Sequence, residues 1–326
     1  MLAFAVRRIA VSIPILLIAS FVVFLMASLS GNPLSGLLTR NPPPPPETIA
    51  LEAHRLRLDL PLLERYWLWL TGLLRGDFGP SVQSNLDIGA EVAGRFVITL
   101  RLIAVAMLLA LILAVVVGVV SAVKQYSKTD YTATFLGFLF LAMPAFWLAI
   151  LLKQWGIDFN NAVDEQVIYT LGATSVPPPE GFWPQVADVA GHMVLPTVSL
   201  ALISYAAWSR YQRAAMLEVM NSDYVRLARA KGLSRRRVMV KHALRNALIP
   251  LTTVTALDLA SIISGAVVTE TVFQWRGMGD LLLNAVRTDD VYVTMAWLLV
   301  TASVVILFNL LADLLYAVLD PRIRYA

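Results

Sequence analysis

The chain is organised by long apolar blocks. A helix rising about 1.5 Å per residue needs roughly 20 apolar residues to cross the hydrocarbon core of a bilayer. Residues 9–29, 102–123, 131–152, 189–209 and 291–312 meet that length and contain no Asp, Glu, Lys or Arg. Residues 246–269 form a sixth block with one acid, Asp258. Charged residues make up 15% of the 326 positions, against about a quarter in soluble domains. The fold class expected is all-α, a polytopic membrane protein with six transmembrane helices. Pro14, Pro144, Pro196 and Pro250 fall inside the blocks, which membrane helices accept when neighbours re-satisfy the freed backbone. The first block follows Arg7 and Arg8 but exceeds the 7–15 residues of a signal-peptide core, so it is read as an uncleaved span.

Lys and Arg set the orientation. The N-terminus, the 124–130 loop, the 210–245 loop and the tail together carry sixteen basic residues and four acids (Asp130, Glu218, Asp223 and Asp320). The alternating loops have the opposite bias: 153–188 holds one base and five acids, and 270–290 holds two and four. The predicted location is the cell membrane, inner or plasma, multi-pass, with both termini cytoplasmic. Although the pI is about 9.4, the basic residues sit where topology requires them, so no nucleic-acid partner is expected. There is no cysteine, and His54, His192 and His242 are scattered, so no metal site is read.

The expected organisation is an N-terminal span over 1–30, an external loop over 31–95, a core of five spans over 96–318 and a tail over 319–326. The external loop contains the run Pro42–Pro46, read as a stiff spacer, and then an amphipathic stretch. There Leu62, Leu63, Tyr66, Trp67, Leu70, Leu73 and Leu74 recur at helical spacing, as in a helix on the outer membrane surface.

The cytoplasmic loop 210–250 is read as helix, glycine turn, helix. Asn221 or Ser222 can cap a first helix, Gly232 can end it in a left-handed conformation, and Ser234 can cap a second. On that second helix Val240, Ala243, Leu244, Ala247 and Leu248 are expected to form an apolar stripe, with Arg237, Lys241 and Arg245 as a basic one. Such a loop suits anionic lipid head groups or a cytoplasmic protein partner, and composition alone leaves both open.

The segment DYVRLARAKGLSRRRVMVKHALRNALIP (223–250) resembles the EAA loop of ABC-importer permeases, matching at Ala228, Gly232 and Leu244. It departs where that loop's glutamate would stand, with Arg226 there and Leu227 next, and an arginine at that place looks like the peptide-importer branch. RLDLPLLERYWLWLTGLLRGDFGPS (57–81), MPAFWLAILL (143–152), ETVFQWRGMGDLL (270–282) and NLLADLLYAVLDPRIR (309–324) resemble the B-type permease subunit of dipeptide and oligopeptide importers. The resemblance covers nearly the whole chain and is weakest around 154–190. It implies the type I ABC importer permease fold, an N-terminal span before a five-helix core. It implies peptide import by alternating access, with nickel, haem or glutathione as alternative cargoes. It also implies partners: a homologous second permease subunit, two ATP-binding subunits or a fused ATPase carrying ATP and Mg, and an external substrate-binding protein or lipoprotein. Asp223, Tyr224, Arg226, Ala228, Arg229, Gly232 and Leu233 are the implied coupling residues.

None of the five lysines follows a glycine, so the chain has no P-loop and is not expected to be an enzyme or to hold a cofactor. Asp258, the acid within a span, costs about 2.5–3.5 kcal/mol at mid-bilayer on insertion scales, so it should face a cavity or a partner helix. A pore-lining role and a pairing across two permease subunits stay open. Glu270, Phe273 and Trp275, with Gly277 and Gly279, are expected at the outer mouth of the fifth span, lining a gate or forming the turn that caps it. Arg101 and Asp313 are read as anchors near span ends, and His192 as packed or hydrated. An ion-coupled transporter would favour several intramembrane acids, and an embedded enzyme needs an acid–base constellation; the sequence offers neither.

Overall fold

The computed structural model describes residues 2–319, with the side chains of 2–5, 259–261, 264, 265 and 311–319 left aside. The tail residues Asp320, Arg322 and Arg324, and the side chain of Asp313, therefore lie outside the described residues. The regular elements of the described residues are all helical: α1 (Leu2–Ser30), α2 (Ser35–Leu38), α3 (Pro46–Arg55), α4 (Leu62–Leu73), α5 (Ile88–Val123), α6 (Lys128–Ala142), α7 (Ala145–Val163), α8 (Phe182–Met220), α9 (Asp223–Ala230), α10 (Arg235–Arg237), a π-helical turn (Val238–Leu244), α11 (Arg245–Leu257), α12 (Leu259–Phe273), α13 (Met278–Arg287) and α14 (Val291–Leu319).

Among the described residues, four segments are long and apolar enough to cross a membrane: Val6–Leu38, Ile88–Val123, Phe182–Met220 and Val291–Leu310. A fifth is the pair α6 and α7, taken as one broken span. The block expected as a single helix over 131–152 is bent by 107° between them. The cause is Pro144, whose ring pushes the preceding residue out of the helical region; Met143 is extended at φ −77°, ψ 128°. Pro14, Pro196 and Pro250 remain inside helices, as the sequence predicted. The block over 246–269 is divided as well, with α11 ending and α12 beginning at Asp258.

Two compact units divide the chain. One takes the residues up to Thr99 together with Arg276–Leu307; the other takes Leu100–Trp275 and resumes at Phe308. The first unit is held by Phe24, Tyr66, Trp69, Met278, Tyr292 and Met295, all buried. Within it α4 presents Tyr66 and Trp69 inward, while Leu63, Trp67 and Leu74 are exposed. The apolar stripe read from the sequence is thus split, because the inward face runs through Tyr66 and Trp69 and leaves those three on the other side. Asp290 caps α14, its Oδ1 accepting from the Val293 amide at 3.1 Å and its Oδ2 from Ser81 Oγ at 2.6 Å. Arg55 donates to the Ser81 carbonyl at 2.7 Å and holds the Glu52 carboxyl below the usual carboxylate range by hydrogen bonding to it.

The second unit is built around α8, which packs against α6, α7, α9, the π turn, α11 and α12. Small residues let the helices approach. A Cβ on Gly118 of α5 would stand 2.8 Å from the Ser209 carbonyl oxygen and from Gln212 Cβ of α8.

Candidate functional site

The 210–250 loop of the second unit is a folded element. Val225 and Ala228 of α9 turn inward and join Ala215 and Met216 of α8 with Val238, Ala243 and Ala247 in one buried cluster. The opposite face is free: Asp223, Tyr224, Arg226, Leu227 and Arg229 are exposed. An 8-residue helix is too short to stand alone in water, so this docking by two side chains is what holds it.

Its ending is specific. Gly232 has φ +76°. The Gly232 amide donates to the Arg229 carbonyl at 3.0 Å and the Leu233 amide to the Ala228 carbonyl at 3.4 Å. These two bonds and the left-handed glycine make a Schellman ending, and Leu233 packs on the same cluster as Ala228. Ser222 stands at the cap position, but its hydroxyl donates back to the Val219 carbonyl at 2.6 Å and caps nothing. Ser234 likewise precedes α10 without a side-chain cap.

The helix that follows is not a plain α-helix. Its buried positions are Val238, Ala243, Ala247, Leu251 and Thr255, so the first step is five residues and the next three are four. The five-residue step is the π turn, and it moves the predicted stripe: Val240 is 58% exposed. Arg237, Lys241 and Arg245 are all exposed.

Above this loop an ion pair ties three elements. Arg213 of α8 donates through Nε and Nη2 to the two oxygens of Asp130, at 2.8 Å each. Asp130, 3% exposed, also accepts from Ser121 Oγ at the end of α5 and from the Tyr126 amide. Sequence reading missed this group. The Ser127–Asp130 spacing is a capping signature that flags the acid, and Ser127 does cap α6, but nothing local points to Arg213.

Asp258 sits at the junction of α11 and α12, partly buried, and its Oδ2 accepts from the Trp208 indole N–H at 2.8 Å. The mid-span acid therefore has a partner within its own chain, on α8. At the far end of α12, Glu270, Phe273 and Trp275 are all buried. Gln274 turns left-handed at φ 51°, and the Trp275 amide returns to the Glu270 carbonyl at 2.8 Å. Phe273 packs with Ala149 and Leu195, Trp275 lies under the Arg101 guanidinium, and the Phe273 carbonyl accepts from Gly172. Gly277 precedes α13, and Gly279 is buried in it. His192 is packed: it stacks on Tyr169 at 4.1 Å, with Nδ1 2.9 Å from the Asp188 carbonyl oxygen. Among the described residues no group of side chains could hold a metal ion.

Residues 114–325 match the family model described as binding-protein-dependent transport system inner membrane component. Residues 1–86 match the model for the N-terminal part of such membrane components. The chain is 40% identical over 324 residues to the oligopeptide transport system permease protein OppB of Mycobacterium tuberculosis, covering 99% of both chains. It is 36% identical to the dipeptide transport system permease protein DppB of Escherichia coli, covering 100% of this chain and 99% of that one. It is 37% identical to the oligopeptide transport system permease protein AppB of Bacillus subtilis, covering all of both. Among solved structures, an inward-facing MetNI methionine ABC transporter superposes with a TM-score of 0.52 at 17% identity, over 70% of this chain and 96% of that one, a likeness of fold.

Proposed function

Because the chain belongs to the family of binding-protein-dependent transport system inner membrane components, we propose that the exposed face of α9 is the surface through which separate ATP-binding subunits drive its spans. It is the permease of an oligopeptide or dipeptide ABC transport system and not itself an ATPase. It is a multi-pass inner-membrane protein, and ATP binding lies in other subunits of such systems.

The observation that carries the reading is the division of α9 into two faces. Val225 and Ala228 fasten it to α8 and to the helix leading into the membrane, while Tyr224, Arg226, Leu227 and Arg229 are presented outward. A helix held this way can pass a push to the spans without unfolding. We take the six apolar blocks as six crossings, counting α6 with α7 and α11 with α12 as one each, with both termini cytoplasmic. The second permease subunit would be a homologue of this one. Two ATP-binding subunits, or one fused ATPase, would hold ATP and Mg, and a binding protein or lipoprotein would deliver peptide from outside. ATP shifts the equilibrium between outward-open and inward-open forms only by its differential binding to the two. Asp258, Glu270, Phe273 and Trp275 are assigned to the path and its outer gate.

The chain lacks cysteine, so one introduced thiol reports without background. Leu227→Cys, in the assembled transporter treated with a disulfide-containing thiol-to-amine cross-linker, is expected to become linked to a lysine of an ATP-binding subunit, stopping peptide uptake until the linker is reduced. Failure to cross-link, by a thiol that still reacts with a small maleimide, would remove α9 as the docking surface.

A further inference from the structure

The cytoplasmic end of α8 carries a second feature that the coupling loop does not use. Arg210, Tyr211, Arg213 and Ala214 of α8 face Thr134 and Phe138 of α6 across a cleft of about 480 Å³. The two arginines differ. Arg213 is committed to Asp130, so its charge is balanced. Arg210 has no carboxylate partner among the described residues; its guanidinium lies over the Phe138 ring, 4.9 Å from the centroid. Stacking uses the face of the guanidinium and leaves its N–H edge able to donate. Among the described residues the cleft therefore carries one uncompensated positive charge, and Tyr211 and Thr134 line it as well.

The surface around it is not built for water. On α6, Phe135 is 65% exposed, Phe138 53% and Tyr131 64%; on α8, Tyr211 is 52% exposed. Exposed aromatic rings flanking a cation at the end of an apolar helix are the pattern of a membrane interface. On the orientation proposed above, this is the cytoplasmic leaflet, where anionic lipids concentrate and where basic clefts between spans hold head groups.

We propose that this cleft binds the phosphodiester of an anionic phospholipid, with the Arg210 N–H edge as its charged donor, Tyr211 and Thr134 as neutral donors, and the acyl chains running along Phe135 and Phe138. A monoanionic phosphodiester balances the single free charge. The site goes beyond the coupling role of α9 and involves none of its residues. It shares its phosphate chemistry with free anions, and the exposed apolar surface around the cleft selects the lipid.

The test uses the whole transporter, purified and studied by native mass spectrometry with phosphatidylglycerol or phosphatidylcholine. Wild type is expected to retain one more phosphatidylglycerol than Arg210→Gln. Loss of one surface cation weakens such binding about five-fold. Phe138→Leu, which removes the stack but keeps the charge, is expected to fall between them and serves where Arg210→Gln does not assemble. Phosphatidylcholine should show no difference between variants, and inorganic phosphate should not displace the retained lipid. Equal phosphatidylglycerol retention by wild type and both variants would overturn the proposal. Displacement by inorganic phosphate alone, or a Tyr211→Cys thiol that cross-links to the second permease subunit instead of being lipid-accessible, would do so too. Because the readout is bound lipid, an error in the coupling assignment would leave the result unchanged.

Discussion

Substitution of Gly232 separates a conformational lever from a steric one. At φ +76° an L-residue brings its Cβ against the carbonyl that follows, costing about 1–2 kcal/mol, with β-branched residues at the upper end. No atom lies within 4 Å of the position a Cβ would take, so the space is open and no clash adds to the cost. The two Schellman bonds, Gly232 to Arg229 and Leu233 to Ala228, contribute about 0.5–1.5 kcal/mol each, and a turn that relaxes forfeits them. The turn takes the cheaper of the two routes, so the expected penalty for Gly232→Val is about 1–2 kcal/mol, localised at one loop. That shifts the turn toward its relaxed form by about 5–30-fold. Asn tolerates the left-handed region, so Gly232→Asn should be mildest, Gly232→Ala intermediate and Gly232→Val most severe.

The assay is peptide uptake and ATP hydrolysis by the complete transporter in proteoliposomes, expressed as peptides moved per ATP. Assembly should persist, because the spans are untouched, while the coupling ratio falls in the order Asn, Ala, Val. Full coupling by Gly232→Val would refute the lever. An order that follows side-chain volume instead, with Asn worse than Ala, would show that φ is not what the glycine provides.

Arg213→Ala should strand Asp130 as a buried, unbalanced carboxylate, costing about 3–5 kcal/mol, and lower the thermal unfolding midpoint of the purified complex. Asp130→Asn with Arg213→Gln should recover much of that loss, and no recovery would mean that packing dominates over charge. Gly118→Ala should destabilise by about 1–3 kcal/mol, because its Cβ meets the Ser209 carbonyl, a backbone atom that cannot rotate away; an unchanged midpoint would show that α5 and α8 approach less closely. Asp258→Asn should alter the uptake rate without preventing membrane insertion, and Trp208→Phe, which removes the 2.8 Å donor, should shift it in the same direction; wild-type uptake by both would take the pair out of the transport path.

What the sequence revealed was whatever depends on neighbours along the chain. Long charge-free runs gave the span positions because lipid acts on each segment separately. Gly232 was legible because a left-handed ending needs little beyond its own residue. The prolines were not. Pro14, Pro196 and Pro250 stay inside helices while Pro144 breaks one, since the outcome rests on whether packed neighbours replace the lost bond. The π turn was hidden because Val238 and Val240 are equally apolar, and only burial in the cluster selects Val238. The Asp130–Arg213 pair spans 83 positions and has no local signature beyond the cap at Ser127. The Trp208–Asp258 bond, 50 positions apart, is hidden for the same reason.

These distant pairings matter because they make one continuous path. Val225 and Ala228 of α9 press on Met216 of α8 and on Ala243 and Ala247 beyond the π turn. The same helix continues through Leu251 and Thr255, both buried, to its end at Asp258. There the carboxylate is tied back to Trp208 on α8. A contact chain by itself transmits nothing; coupling needs an element with two arrangements of similar energy. The path contains two places where the helical ladder is already interrupted, the π turn at Val238–Leu244 and the break at Asp258. Interrupted ladders have fewer bonds to lose on changing register than intact ones, and π turns are frequent at functional sites. A displacement of α9 should therefore be taken up at these two points while the helix between them moves as a rigid rod. On that account, replacing residues within the rod should change stability, and replacing residues at its two ends should change coupling.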